Sequence, residues 1–244
     1  MIDVHSHIIN EIDDGSKSLE ESISMIEKMR DAGYTKIIAT PHYIDNSFYA
    51  ADNKTKKEKL EIIEKELIER NIDVKLYLGN EIFIQDNILS KIIKGKIHTL
   101  NNSSYMLIEI PLEEKLNCDL DIFYELILKG AKIVLAHPER YKIFQKDNDM
   151  IEKYLEMGIL FQGNLDSLSG KYGPKAKRLF IKLLKERKYF VLGSDIHSSK
   201  SSYYGRVGKL KKEAIKLTDE EYIFDLTVKN PDKIINNIVD RNKN

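Results

Sequence analysis

The sequence predicts an α/β protein in which parallel strands alternate with helices. Seven short runs rich in Ile, Val and Leu mostly lack period-two alternation, which is typical of parallel strands covered on both faces. Longer segments with helical periodicity separate them, and no Gly-, Ser- or Pro-rich linker interrupts the order. We therefore expect one domain over residues 1–244, built as an open doubly wound sheet or as a closed barrel.

The first strand favours the barrel over a nucleotide-binding sheet. A dinucleotide-binding sheet usually has a glycine-rich turn after its first strand. Here that turn is His5-Ser6-His7, so the nucleotide interpretation is weakened. The predicted strands cover residues 2–4, 36–39, 74–78, 105–110, 132–135, 159–162 and 189–192.

Residues typical of helix starts and ends support helices in the segments between the strands. Ser18 with Glu21 predicts a capping box, and Gly33 a helix end. Apolar residues recur at helical spacing between Leu60 and Leu67, and the lysine-rich residues 54–59 are expected to form a solvated helix face. Further starts are predicted at Pro174, at Thr218 with Glu221 and at Asn230-Pro231.

Charge and composition exclude several classes of partner. The 39 Lys and Arg balance the 39 Asp and Glu, so no long-range field attracts nucleic acid or anionic lipid. No apolar stretch approaches the ~20 residues that span a bilayer, and no signal peptide precedes His5. The expectation is a cytoplasmic protein that does not insert into membranes.

Histidines fall at the ends of the predicted strands. His5 and His7 follow the first strand, His42 the second, His137 the fifth and His197 the seventh. In a parallel barrel the carboxyl ends of all strands meet at one face, where the active site is assembled. A lone histidine at a strand end is usually structural, but five together predict a metal centre.

Carboxylates occupy the same positions. Glu81 follows the third strand, Asp195 the seventh, and Glu109 lies within an apolar run where burial would be costly unless a cation compensates it. The segment Asp13-Asp14-Gly15 follows the first strand closely enough in the chain to reach the same face. The alternative for that segment is an ordinary Asp-Gly turn.

Two arginines are candidates for binding phosphate. Arg140 follows His137-Pro138-Glu139, and Arg206 lies nine residues beyond His197. The planar guanidinium binds phosphate oxygens in a bidentate manner. The other five arginines fall in or beside predicted helices. Cysteine-dependent phosphate chemistry is excluded, because Cys118 has Tyr124 where that mechanism needs an arginine.

Seven short motifs together resemble the polymerase-and-histidinol-phosphatase (PHP) superfamily. Within it the chain is most similar to the bacterial manganese-dependent protein-tyrosine phosphatases of capsule and exopolysaccharide operons, over residues 1 to about 216. The Asp-Asp-Gly, Thr-Pro-His-Tyr and His-Pro-Glu-Arg-Tyr segments are the most specific. The motifs start at His5, Asp13, Thr40, Gly79, Glu109, Ala136 and Gly193.

The resemblance implies a distorted (β/α)7 barrel with three metal ions. By the family pattern, the first ion would be held by His5, His7, Glu81 and Asp195. Glu81 would bridge to a second, completed by Glu109 and His137. Asp14, His42 and His197 would hold the third, while Arg140 and Arg206 would clamp phosphate and Glu109 would take part in catalysis.

The ligand types suit Mn²⁺, Fe²⁺ or Zn²⁺, and the resemblance implies Mn²⁺ among them. Such ions lower the pKa of water to about 7, so hydroxide would attack phosphorus in line while Arg140 neutralises the equatorial oxygens. Resemblance implies a phosphotyrosine protein as substrate, in particular a tyrosine autokinase of polysaccharide export. A histidinol-phosphate-type phosphatase remains the main alternative; a nuclease and an inactive metal-binding module are less favoured.

Overall fold

A computed structural model describes residues 1–85, 88–94, 96–113 and 120–237. Cys118, expected to be a small buried residue, lies outside these residues. The strands are β1 Ile2–Asp3, β2 Lys36–Ala39, β3 His42–Tyr43, β4 Lys75–Leu78, β5 Glu81–Phe83, β6 Tyr105–Glu109, β7 Lys132–Ala136, β8 Leu160–Asn164 and β9 Tyr189–Gly193. The helices are α1 Leu19–Asp31, α2 Asn53–Glu69, α3 Ile88–Ile93, α4 Asp121–Leu128, α5 Lys142–Lys146, α6 Asn148–Glu156, α7 Pro174–Lys185, α8 Val207–Leu217, α9 Glu220–Phe224 and α10 Asn230–Asn236.

All strand pairs are parallel, which confirms the predicted α/β class. β1, β2 and β4 form one sheet, and β3, β5, β6, β7, β8 and β9 form the other in that order. The apolar segments predicted as strands all contribute to these ladders. Helices alternate with the strands along the chain. They provide the crossover connections, outside the sheets, that parallel pairing requires.

Two predicted strands, β2 and β4, are each followed by a short strand that the sequence did not predict, β3 and β5. Pro41, which has no N–H to donate, separates β2 from β3, and Gly79-Asn80 separates β4 from β5. The Gly79 amide still donates to Ala39 O at 2.8 Å and the Glu81 amide to Pro41 O at 3.2 Å. Backbone hydrogen bonds between the two neighbouring chain segments therefore continue across both breaks and connect one sheet to the other.

The segment after the last strand, β9, pairs with the segment after β1. An isolated parallel bridge pairs Ser6 with Ile196, and the Asp195 amide donates to His5 O at 2.9 Å. A small apolar cluster unites Val4, Ile38 and Val191 with side chains of the middle strands. The ladders nevertheless form two sheets joined by single contacts, so closure of a (β/α)7 barrel stays a prediction.

Three local predictions need correction. Ser18 caps α1 by accepting from the Glu21 amide, but the Glu21 carboxylate accepts from the Lys17 amide instead of completing the capping box. Asp219, rather than Thr218, caps α9, because the Thr218 hydroxyl donates back to Ala214 O. Lys56 is only 1% exposed within the segment expected to be solvated.

Within the ranges that the structure describes, no helix is long and apolar enough to cross a membrane. Most of the apolar core lies in a second, larger cluster that joins the helices to the sheets. The smaller cluster includes Ile234 and Ile235 of α10.

Candidate metal centre

The predicted ligands converge on one site at the carboxyl ends of the strands. Each histidine of the set has a ring nitrogen, and each acid a carboxylate oxygen, within 3.0 to 3.9 Å of a residue of the other kind. The set is His5, His7, Asp14, His42, Glu81, Glu109, His137, Asp195 and His197. Residues nearly 200 positions apart therefore share one surface, as the strand-end placement predicts.

Glu81 lies at the centre of the site. Its Oε2 is 3.1 Å from His5 Nε2, 3.4 Å from His7 Nε2 and 3.1 Å from His42 Nδ1. Its Oε1 accepts from His137 Nε2 at 3.0 Å. A carboxylate with both oxygens facing different imidazoles has the arrangement of a bridging ligand.

A second group lies on the more open side. Asp14 Oδ1 is 3.6 Å from His42 Nε2 and 3.5 Å from His197 Nε2. His197 stacks on His7 with ring centroids 3.8 Å apart. Ligand atoms of His7, Asp14, His42 and His197 lie within 4.8 Å of one another, close enough to hold one ion.

Two further groups of ligand atoms meet the same criterion. One comprises His5, His7 and Glu81, and the other His42, Glu81 and Glu109. His42 thus stands where the family pattern puts His137, although His137 Nε2 is only 3.5 Å from Glu109 Oε1. The allocation of individual ligands to individual ions stays a prediction.

Buried polar side chains orient the first two histidines. His7 Nδ1 lies 2.8 Å from Asp13 Oδ2, and His5 Nδ1 lies 2.8 Å from Gln162 Oε1. Because each Nδ1 is engaged, each Nε2 faces Glu81. Partners of this kind fix the tautomer and ring orientation of metal-binding histidines.

The Asp13 carboxylate has two further hydrogen-bond partners besides His7. Its carboxylate also accepts from the Gly15 amide at 2.9 Å and from the His42 amide at 3.0 Å. Burial raises the pKa of Asp13, but the His7 charge and these hydrogen bonds outweigh it and lower the pKa to about 2. Asp13 therefore stays ionised and ties the segment after β1 to the start of β3.

Asp195 is held by side chains that follow or end other strands. Its Oδ2 accepts from Asn164 Nδ2 at 2.7 Å and from Arg140 Nη1 at 2.8 Å. The Tyr172 hydroxyl lies 3.4 Å away. Its Oδ1 faces His5 Nε2 at 3.5 Å, so one carboxylate oxygen is structurally anchored while the other points into the cluster.

Backbone strain accompanies two of the ligands. His137 has φ of 33° and Asp195 of 52°, in the left-handed region that non-glycine residues rarely adopt. Such conformations persist where surrounding contacts determine them, and they concentrate at functional sites. Burial of the neighbouring Glu139 carboxylate, which accepts from Asn164 N and from Ser167 and Tyr189 hydroxyls, fixes the turn after His137.

The cluster shifts the pKa of its members in both directions. Burial lowers the pKa of His5, but Glu81 and Asp195 outweigh it and raise it to about 9. Burial and then the Glu81 charge raise the pKa of Glu109 to about 9. Burial and then the Arg140 charge lower the pKa of His137 to about 4. Acids and bases packed this closely require protons or cations for charge balance.

The donor set fits divalent metal ions. Glu81 Oε2 and His42 Nδ1 lie 3.1 Å apart without the geometry of a hydrogen bond, and neither of these buried atoms nor the buried His137 Nδ1 has a hydrogen-bond partner in the described part of the chain. Buried polar atoms without partners are costly unless an ion engages them. Imidazole and carboxylate ligands without thiolate suit Mn²⁺, Fe²⁺ or Zn²⁺.

The two candidate phosphate-binding arginines lie at the edge of the cluster. Arg140 pairs with Asp195, and its guanidinium stacks 4.7 Å from the Tyr172 ring centroid. Arg206 pairs at 3.1 Å with the buried Asp166, an acid that the sequence did not single out. Arg206 and His197 line the same cavity.

The profile of a family described as "Capsular polysaccharide synthesis, CpsB/CapC" matches residues 1–236. The chain belongs to the CpsB/CapC family. It is 33% identical to the putative tyrosine-protein phosphatase CapC of Staphylococcus aureus over 81% of this chain and 77% of that protein. It is 30% identical to the tyrosine-protein phosphatase YwqE of Bacillus subtilis over 93% of this chain and 87% of that protein.

A crystal structure matches this CpsB/CapC protein with a TM-score of 0.90 and 28% identity, over 98% of this chain and 96% of that one. It comes from work on YwqE of Bacillus subtilis and CpsB of Streptococcus pneumoniae, described as unique metal-dependent tyrosine phosphatases. The sequence resemblance to capsule phosphatases is thereby confirmed at the level of the family.

Sequence reasoning about this CpsB/CapC chain missed several supporting residues. Gln162 ends the sixth predicted strand, the one without a histidine or acid at its end, and Asn164 ends the corresponding observed strand, β8. Both are fully buried, and polar residues in a buried strand would have been the clue. Asp13 was visible as half of an acidic pair, but nothing in the spacing distinguished the ligand candidate Asp14 from its supporting neighbour.

Proposed function

We propose that this chain is a metal-dependent protein-tyrosine phosphatase of capsule or exopolysaccharide synthesis, acting as a single domain over residues 1–244. The observation that carries the proposal is Glu81, a buried carboxylate faced by His5, His7, His42 and His137. Family membership supports the choice of phosphotyrosine among phosphate esters.

The nine residues of the cluster would hold the ions, with Mn²⁺ as the proposed metal and three as the proposed number. Bound divalent ions supply activated water at neutral pH and neutralise charge on phosphoryl oxygens. Asp13 and Gln162 hold the His7 and His5 rings in place for this task. Asn164 does the same for Asp195.

Arg140 would bind the phosphoryl group of the substrate. Its guanidinium lies beside Asp195, and burial with stacking on Tyr172 limits its rotamers. A positioned guanidinium stabilises the charge of the transition state more than that of the bound ester. Arg206 and Glu109 are proposed to assist, at the cavity edge and within the cluster respectively.

The chemistry of the leaving group supports a tyrosine ester. A phenol has a pKa near 10, well below that of an alcohol, so phenolate leaves with less help from an acid. No acid for the leaving group is proposed. The partner we propose is a tyrosine autokinase that controls polysaccharide export, and a cytoplasmic location stays a prediction.

Substrate preference tests the proposal. The protein would be stripped with a chelator, reloaded with Mn²⁺, and assayed with a phosphotyrosyl peptide and with histidinol phosphate. We expect higher kcat/KM for the peptide. Equal or faster turnover of histidinol phosphate would contradict the tyrosine-phosphatase assignment and favour a small-molecule phosphatase. Failure to hydrolyse either ester would contradict both.

A further inference from the structure

A cavity of about 610 Å³ opens beside the candidate metal centre. Its wall combines Ser198 and residues 200–202 with Lys171, Arg206 and His197. His197 also stacks on His7, so its ring forms the boundary between cavity and cluster. A phosphotyrosine bound at the cluster would therefore have neighbouring peptide residues at this cavity. The volume is in the range of ligand-binding clefts, roughly 300–1,000 Å³.

The wall of the cavity carries an excess of positive charge. Lys171, Lys200 and Arg206 line it. Asp166 pairs with Arg206 at 3.1 Å and more loosely with Lys171, at 3.8 Å. One carboxylate therefore serves two of the cations, while the chain as a whole has no net charge. Cations concentrated in a concave surface attract anionic groups.

The serine-rich segment of the wall is held in place. Glu21 Oε1, on α1, accepts from the Ser198 hydroxyl at 3.0 Å and from the Ser199 amide at 3.1 Å. Lys28 Nζ donates to Ser199 O, and the Tyr204 hydroxyl donates to Ser198 O. Lys200 thus extends from a fixed backbone, which reduces the ordering cost of binding.

Lys171 lies near the proposed phosphate-binding arginine, with the Tyr172 ring in contact with both. The Tyr172 ring has Lys171 Nζ 5.1 Å and the Arg140 guanidinium 4.7 Å from its centroid. The same aromatic ring therefore contacts the proposed phosphate-binding arginine and a lysine of the cavity. This places the cavity next to the proposed phosphate position and not on a remote surface.

We propose that this cavity binds a second anionic group of the substrate, next in sequence to the phosphotyrosine. The group is either an acidic side chain or a second phosphotyrosine, since both present oxygens to Lys171 and Lys200. The proposal rests on the proposed function and specifies its substrate: a phosphotyrosyl segment with further negative charge.

The test uses the Mn²⁺-loaded full chain with Lys171→Met and Lys200→Met combined, which keeps the apolar stems and removes both charges. Substrates are four: a phosphotyrosyl peptide flanked by Ala, the same peptide flanked by Glu, a doubly phosphorylated peptide, and p-nitrophenyl phosphate. We expect kcat/KM to fall about tenfold or more for the charged peptides, mainly through KM, because charge-assisted contacts are lost. Turnover of the Ala-flanked peptide and of p-nitrophenyl phosphate should be unchanged.

A matched control removes two exposed lysines elsewhere. Lys209→Met with Lys212→Met, on α8, makes the same change in net charge and should leave all four substrates unaffected. Affinity for a peptide with phosphonomethyl-phenylalanine, which is not hydrolysed, gives a readout independent of turnover. It should weaken for the Glu-flanked form in the cavity variant alone.

Three outcomes would overturn the inference: equal losses for neutral and charged peptides, a loss for p-nitrophenyl phosphate, or no loss at all. A larger loss for the Glu-flanked or for the doubly phosphorylated peptide identifies the anion. Absence of turnover by the unmodified protein would instead contradict the proposed function, and the binding measurement would still report on the cavity.

Discussion

Glu81 determines how the cluster is held together. Its two oxygens face four imidazoles at 3.0 to 3.4 Å, and His5, His7 and Glu81 are all fully buried. Charged groups buried at this density are stable only when each has a partner. The supporting contacts of Asp13 and Gln162 matter for the same reason, because they leave one ring nitrogen of each histidine for the centre.

Arg140 can be tested apart from the ligands. Arg140→Ala should lower kcat/KM on a phosphotyrosyl peptide by about 100-fold, since one positioned donor contributes about 3 kcal/mol to transition-state stabilisation. Metal content, measured by plasma mass spectrometry, should be unchanged. Arg178→Ala, on the exposed face of α7, is the control. If metal were lost along with turnover, Arg140 would act by holding Asp195 and not by binding phosphate.

Asp13 is expected to act on metal affinity. Asp13→Asn keeps the side-chain shape but loses the charge beside His7, so affinity for Mn²⁺ should fall by about 10- to 100-fold. A metal titration followed by calorimetry gives the affinity. Asp31→Asn, an exposed acid at the end of α1, serves as the control. Unaltered affinity in the Asp13 variant would remove its assigned supporting role.

At the scale of elements, the segment between β1 and α1 folds back on His7. The Ser16 amide donates to His7 O at 3.1 Å, and the Gly15 amide donates to Asp13 at 2.9 Å. This return brings Asp13 and Asp14 beside the histidine pair. The Asp-Gly sequence predicts a turn, and the turn itself contributes to the site, so the two interpretations of this segment are compatible.

Gly15→Ala should disable the site without a change of charge. A Cβ at this position would lie 2.2 Å from His7 O and 2.5 Å from His7 Cβ, so the backbone must move. We expect metal retention and turnover to fall well below those of Gly208→Ala, whose Cβ would meet nothing within 4 Å. Equal behaviour of the two variants, with retained metal measured after gel filtration, would show that the close packing at His7 is dispensable.

Lys56 joins α2 to the two strand breaks. Its Nζ donates to Asn80 Oδ1 at 2.7 Å, and Asn80 Nδ2 donates to Pro41 O at 2.9 Å. Asn80 precedes Glu81 and Pro41 precedes His42, so these contacts help to position two candidate ligands. Composition suggested a solvated lysine-rich face; it could not show which lysine of the run turns inward.

Burial should make the contribution of Lys56 depend on pH. Burial lowers the pKa of Lys56 from its usual 10.5 to about 7, so between those values the unfolded chain binds more protons. Stability relative to Lys56→Met should therefore rise with pH from 7 to 10, by up to about 1.4 kcal/mol per pH unit. Urea unfolding at several pH values measures it, with the exposed Lys57→Met as control. A flat difference would contradict the buried, largely neutral state.

For the whole molecule, the sequence predicts more of the candidate metal ligands than of the residues that support them. Strand ends and ligand types predict eight of the nine clustered residues, because parallel topology brings strand ends together whatever their separation in the chain. Asp14 was added by the family resemblance. The contacts of Gln162 with His5, of Asn164 with Asp195 and of Asp166 with Arg206 depend on side-chain packing. No periodicity or spacing encodes them, which is why sequence alone did not identify them.

We expect ions held by this cluster to be required for phosphotyrosine hydrolysis. The direct measurement is a Mn²⁺ titration of chelator-stripped protein that follows peptide turnover and the number of ions retained per chain. The stripped protein should be inactive, turnover should return in step with retained ions, and Glu81→Gln should lower both. Full turnover by protein that retains no ion would contradict the account.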